Sequence, residues 1–290
     1  MTLFILFMLF YIAICVENLL IIVLVSISSR LQTPMYFILK SMSICELVSA
    51  TSLVPKMLHD ILSDRATITI TGCIVQLNIW GTMGILIYLL YALMSYDRYW
   101  AIANPLRYSS LIDNKLCFHI VMVFCLIAFA STVLISVLLS RLEFCDGNVI
   151  DHFYCDFSPV VHLSCSDTVL VQTVGTLSSG LVILLPLIFI LFSYIFIICK
   201  ILRISSATGR KKSFSTCSSH LLVVAINYGI LISVYVLPGK AHSPDVNKGL
   251  SFIYVMATPL INPIIYTLKN EEFRIALEAK ARVMKMHFCQ

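Results

Sequence analysis

The sequence predicts an all-α membrane protein: a seven-transmembrane helix bundle followed by a short amphipathic C-terminal helix. Three observations predict it. The 290 residues are 59% hydrophobic and 12% charged, with a mean hydropathy of +0.95, whereas a soluble domain carries roughly a quarter of its residues charged. The interior of a chain this size cannot hide so much apolar surface from water, so lipid is the outer solvent. Seven apolar stretches each reach the roughly 20 residues that a hydrocarbon core about 30 Å thick requires. Finally, the basic residues gather at the ends of these stretches, where they set topology.

The first span, about residues 2–26, is too long for the apolar core of a signal peptide and has no charged segment before it. It reads as a span that is its own insertion signal. The others cover about 34–57, 72–103, 116–139, 171–203, 212–236 and 248–268, all within one domain, residues 1–290. Each must be helical, because an unpaired backbone group in lipid is too costly. The third and fifth runs exceed the bilayer thickness, which implies tilt or extension into water. Pro55, Pro186, Pro238, Pro259 and Pro263 fall in or at the ends of spans, where neighbouring helices can absorb a kink. A long loop occupies about 140–170, and about 269–283, with Phe273, Ile275, Leu277 and Val283 among Glu, Lys, Arg and Ala, reads as an amphipathic helix on the inner membrane face.

Orientation follows from lysine and arginine. Arg30, Lys40, Arg98, Arg107, Lys115, Lys200, Arg203, Arg210, Lys211, Lys212 and five basic residues after Tyr266 lie on one side; Lys56, Arg65, Arg141, Lys240 and Lys248 lie on the other. The richer side is cytoplasmic, so seven spans put the N-terminus outside and the C-terminus inside, at a plasma membrane. Cys73, Cys145, Cys155 and Cys165 then fall outside, where disulfides persist, and spacing alone leaves all three pairings open.

No zinc-protease, phosphate-loop or Gly-x-Ser-x-Gly motif occurs, and the seven histidines are scattered. Neither catalysis, a metal nor a cofactor is indicated. The net charge of +5 forms no basic stripe interleaved with aromatics, so nucleic acid is not a partner. Polar groups at membrane depth are costly and mark function by default. Asn18 and Glu46 lie midway along the first and second spans, Asp97-Arg98 closes the third, and Asn262-Pro263 interrupts the seventh. A polar cluster of Asn18, Glu46 and Asn262, joining spans one, two and seven, satisfies these groups away from lipid; its plainest role is inter-helical adhesion.

The segments PMYFILKSMSICELVSATSLVPKML (34–58), MSYDRYWAIANPLRY (94–108), KSFSTCSSHLLVV (212–224) and PLINPIIYTLKN (259–270) occur in this order. Together with the loop FCDGNVIDHFYCDFSPVVHLSCSD (144–167) they resemble the vertebrate odorant receptors, a branch of the rhodopsin-like G-protein-coupled receptors. The resemblance runs from about Asn18 to Lys280. It implies a receptor for small, mostly apolar volatiles that activates a stimulatory, olfactory-type heterotrimeric G protein and raises cyclic AMP. It implies that Asp97 pairs with Arg98 at rest, beside Tyr99, and that Arg98 meets the G-protein α subunit on activation. Tyr194 and Tyr266, with Asn262 and Pro263, would hold the opened state. It pairs Cys73 with Cys155 and Cys145 with Cys165. It places the ligand between spans three, five and six, against Trp80, Gly81, Gly84, Ile85, Ser178, Ser179, Val182, Tyr228, Leu231 and Tyr235. For Gly81 and Gly84 close helix packing is the default role. No carboxylate is expected around Trp80, which disfavours cationic amines.

The chain departs from the family pattern at several positions. Glu17 stands where the family has Gly, Glu46 where it has Asp, Asn227 where it has an aromatic, and Trp100 where it has a small aliphatic residue. Arg210, Lys211 and Lys212 occupy the inner end of the sixth span, so no carboxylate at Arg210 can lock Arg98, and Asp97 needs other help. The usual N-terminal tail and any Asn-x-Ser/Thr site are absent, which makes a poorly trafficked or non-signalling remnant the alternative. A transporter would show inverted repeats, and none is seen. A retinal pigment needs a mid-helix lysine, whereas Lys248 and Lys269 flank the seventh span.

Overall fold

The computed structural model describes residues 1–63, 66–145, 149–235, 244–268 and 271–288. Arg65, Pro238, Lys240, Lys269 and the last residue of the sixth expected span lie outside the described residues, as do the side chains of Lys212, Tyr235, Val283 and Lys285. Among the described residues, seven helices are long and apolar enough to cross a membrane. In chain order the elements are α1 (Thr2–Ile27), a 3-10 turn (Ser29–Leu31), α2 (Pro34–Leu62), α3 (Ile70–Ala103), α4 (Pro105–Leu111) and α5 (Asn114–Leu139). There follow α6 (Phe157–His162), α7 (Val169–Leu202), α8 (Ala207–Tyr235), α9 (Pro244–Leu268) and α10 (Glu271–Phe288). Spans four to seven are therefore α5, α7, α8 and α9.

Local chemistry sets the helix ends. Thr69 Oγ1 accepts from Gly72 N at 3.0 Å, and Asp113 Oδ1 accepts from Leu116 N at 2.7 Å, which caps α3 and α5. Pro34 and Pro105 open α2 and α4, where a missing N–H costs nothing. Helix and apolar span are not the same length. α2 runs on to Leu62, past the expected residue 57, α8 starts at Ala207 rather than 212, and α10 continues past 283. Hydropathy marks the lipid-facing stretch, but a helix continues into water for as long as its hydrogen bonds and caps allow.

Half of the apolar stretch of α2 is buried, against 22% in α5 and α7. Thus α2, α3, α8 and α9 form the centre, and α5 and α7 turn most of their leucines, isoleucines and phenylalanines to lipid. The largest core joins Ile38, Met42, Leu53, Leu90, Tyr91, Ile190 and Val223 across these helices. A second cluster seats α10 through Phe273 and Ala276 against Ile21, Leu24, Leu31 and Tyr36. This position follows from α10's one-sided apolar face.

On the opposite side, the long loop folds back over the bundle. Cys73 is bonded to Cys155 with 5.4 Å between Cα atoms, and Cys145 to Cys165 with 5.7 Å. Gln76 reinforces the first link, accepting from Cys155 N at 3.1 Å and donating to Ser52 O at 3.0 Å. Lys248 of α9 pairs with Asp151 of the loop. Short α6 begins where Asp156 Oδ1 accepts from Phe157 N at 2.8 Å.

Candidate functional site

Three groups of residues carry chemistry, stacked along the bundle axis. At the end of α3, Asp97 is 1% exposed and accepts from Arg98 Nη2 at 2.6 Å and Nε at 3.0 Å. Its other oxygen accepts from Tyr108 Oη of α4 at 2.6 Å. Tyr108 supplies the help that Asp97 was expected to need. A turn at Asn104-Pro105 points α4 back beneath α3, which sequence spacing does not show. Burial, and then the Asp97 carboxylate, push the Tyr108 phenol well above its usual range, so it stays a donor. Nearby, Tyr194 of α7 stacks on His220 of α8, with rings 5.5 Å apart and an Oη–Nδ1 hydrogen bond of 2.7 Å. Tyr99 sits at the edge of this region and packs on Trp100 at 5.7 Å.

At mid-depth, Asn262 of α9 donates to Glu46 Oε1 at 2.5 Å and to Tyr91 Oη at 2.9 Å. It accepts from Asn227 Nδ2 of α8 at 2.9 Å. One amide therefore ties α2, α3, α8 and α9. Asn18 does not join this group directly: its Nδ2 donates to Ile14 O at 3.0 Å and Pro259 O at 3.2 Å, which links α1 to the backbone of α9. The expected cluster is thus two pieces: Pro263, four residues on, has no N–H to give, which leaves the carbonyl of Pro259 free for Asn18. Pro263 lies buried next to Asn262, and Tyr266 Oη is buried without a hydrogen-bond partner among the described residues. Glu17 Oε2 is likewise enclosed without a partner there, and nothing in the structure explains that residue.

Beneath the loop lies a cavity of about 250 Å³. Trp80, Gly81, Gly84 and Ile85 of α3, Ser178, Ser179 and Val182 of α7 and Leu231 of α8 line it. Tyr228 lines an adjoining groove instead; its Oη donates to Ile183 O at 3.2 Å and its ring meets Tyr88 at 4.9 Å. Tyr235 has no described side chain. The two glycines differ. A side chain beginning at Gly81 would meet Thr132 Cγ2 at 3.2 Å, which marks close packing of α3 on α5, whereas one at Gly84 would meet nothing within 4 Å. Close packing is therefore not the role of Gly84; its missing side chain is cavity space. Reading along helices also missed parts of the wall. Asp156, Phe157 and Ser158 descend from α6, Thr132 comes from α5, and Tyr254 comes from α9. The buried Asp156 corrects the expectation that no carboxylate stands near Trp80: the Cys73–Cys155 disulfide draws the loop inward, a fold-back that a count along helices cannot register.

A family model described as olfactory receptor matches residues 7–285. The chain belongs to the olfactory receptor family. The receptor is 41% identical over 284 residues to olfactory receptor 5G9 of Mus musculus, a match covering 97% of this chain and 90% of that one. It is 38% identical over 276 residues to olfactory receptor 8J3 of Homo sapiens, covering 95% and 88%. Against olfactory receptor 1f45 of Rattus norvegicus identity is 40% over 286 residues, covering 99% and 90%. The protein is therefore a multi-pass G-protein-coupled receptor of the odorant class and not an enzyme.

Proposed function

We propose that this olfactory receptor binds small, largely apolar volatiles in the cavity between α3, α7 and α8. On binding, it activates a stimulatory, olfactory-type G protein and raises cyclic AMP. The observation that carries the reading is the Gly84 cavity itself: covered by the loop, mainly apolar, and edged by the hydroxyls of Ser178, Ser179 and Thr132. Such a site suits a molecule of modest size with one hydrogen-bonding group. Trp80 forms its outer wall, packed on Tyr154 at 5.4 Å and on Tyr254 at 6.1 Å, and Tyr254 is hydrogen-bonded to Tyr88 at 3.1 Å. A ligand that shifts Tyr254 or Leu231 pushes on Tyr88, Tyr228 and thus α8.

Coupling takes place at the other end. Arg98 leaves Asp97 and Tyr108 to meet the C-terminal helix of the α subunit, while Tyr194 and Tyr266 turn inward to hold the opened state. The N-terminus is outside and the C-terminus cytoplasmic, as the fifteen-to-five division of basic residues favours. α10 then rests on the inner lipid face, its buried Phe273 inward and Arg274 and Arg282 toward headgroups and water. A cyclic-AMP reporter assay against a volatile panel tests the reading. A response lost in Arg98→Ala, with surface expression retained, supports it. Robust surface expression with no response to any volatile overturns it.

A further inference from the structure

Among the described residues, cavities adjoin the loop that covers the bundle on more than one side, and their connections are unequal. The first, about 640 Å³, opens on the outer face between Lys56, Thr69, Phe144, Ile150 and Tyr154. It shares no lining residue with the odorant cavity. Between them stand the Cys73–Cys155 disulfide and the packing of Tyr154 on Trp80. The second, about 440 Å³, is a groove between α7 and α8. It shares Phe157, Ser158, Gly175, Ser179, Ile183 and Leu231 with the odorant cavity. Among the described residues, the cavity is thus separate from the outer pocket and continuous with the groove at the side of the bundle.

The residues of the groove fit passage rather than helix packing. Beyond its own helix backbone and chain neighbours, Gly180 has nothing within 4 Å of where its side chain would begin. Leu184 is 55% exposed and Ile232 40% exposed, as lipid-facing residues are. Among them stand two hydroxyls, Thr176 and Ser179, both exposed and neither hydrogen-bonded among the described residues. A hydroxyl facing an apolar solvent without a partner is unfavourable, so each is a waiting partner for a polar group that enters from the membrane. The ring of Phe157 stands at the boundary of both spaces, so close to α7 that a side chain at Gly175 would lie 2.5 Å from its Cζ.

We infer that the α7–α8 groove is a membrane-side binding subsite and the entrance to the odorant cavity, taking neutral, lipid-soluble small molecules with a single hydrogen-bonding group. This rests on the cavity being the odorant site. Lipophilic ligands concentrate in the bilayer, lodge in the groove with their polar group on Thr176 or Ser179, and pass Phe157 and Leu231 inward. The outer loop needs no opening.

The test uses the full receptor in lipid nanodiscs with Ser178→Cys, a position that lines the cavity but not the groove. Two thiol reagents are compared, N-octylmaleimide, which resides in lipid, and a sulfonated maleimide confined to water, with the labelled peptide read by mass spectrometry. N-octylmaleimide is expected to label this site faster than the sulfonated reagent. Gly180→Trp and, separately, Leu184→Trp are each expected to slow that labelling by roughly tenfold or more by obstructing entry, with the sulfonated rate unchanged. Equal rates with and without both tryptophans overturn the inference, as does faster labelling by the sulfonated reagent. No labelling by either reagent overturns both the entrance and the cavity. A receptor that shows the expected pattern but answers no volatile keeps the entrance and loses the odorant reading.

Discussion

The two ends of this bundle solve opposite problems with the same helices. From mid-depth to the inner end, polar side chains tie helices together: Asn262 meets Glu46, Tyr91 and Asn227, and Asp97 meets Arg98 and Tyr108. In the outer half, space is left unfilled, at Gly84 inside the cavity and at Gly180 in the groove. The difference teaches how a receptor divides its labour. Hydrogen bonds in a low-dielectric interior are strong and expensive to leave unmade, so a few of them define a discrete resting arrangement. Apolar space has no such directionality, and can accept many shapes.

The largest expected effects come from removing what keeps the halves distinct. Arg98→Ala is expected to abolish the cyclic-AMP response at normal surface density, read by reporter assay and surface labelling together. Cys155→Ser opens a loop closed over 82 residues, a link worth about 4 kcal/mol in chain entropy. Loss of surface delivery in flow cytometry is expected; a normally delivered, responsive variant would show that the outer half needs no covalent lid. Next in size, Gly84→Leu fills the cavity from a position with free space around it. Agonist potency is expected to fall by roughly tenfold or more, since the ligand loses the volume it occupied, while delivery and basal signalling stay unchanged.

Smaller effects probe the inner half. Asn227→Leu removes a donor to Asn262 and leaves a buried carbonyl oxygen unpaired, at a cost of about 1–3 kcal/mol. Release of α8 from α9 is expected, measured as basal cyclic AMP several-fold above wild type without agonist; an unchanged basal level would mean that the tie does not restrain α8. Tyr108→Phe removes one hydrogen bond from a carboxylate that keeps Arg98. A still smaller rise in basal signalling is expected, with agonist potency preserved.

Particular residues show how far the sequence could be read. The spans were legible because apolar runs have a length fixed by the bilayer, and Asp97-Arg98 and Asn262-Pro263 stood out as polar groups where lipid permits few. Helix ends were less legible: Leu62 and Ala207 extend helices beyond the apolar runs, where caps and not hydropathy govern. Tyr108, His220 and Tyr91 were not singled out, since a tyrosine or histidine in an aromatic-rich chain carries no signal until a partner stands beside it. Asn227 was visible as an unusual residue, yet its link to Asn262 was not.

The sequence by itself determined that the chain crosses a membrane seven times, that its basic side favours the cytoplasm, and which family it resembles. These follow from composition, run length and contiguous motifs, which are local properties. Only the tertiary structure decided that Asn18 reaches Pro259 and not Glu46, that Asp156 descends to the cavity wall, and that Gly84 is space while Gly81 is packing. Each depends on which helix faces lie opposite one another. That is fixed by the packing of all seven together, and no single stretch of sequence carries it.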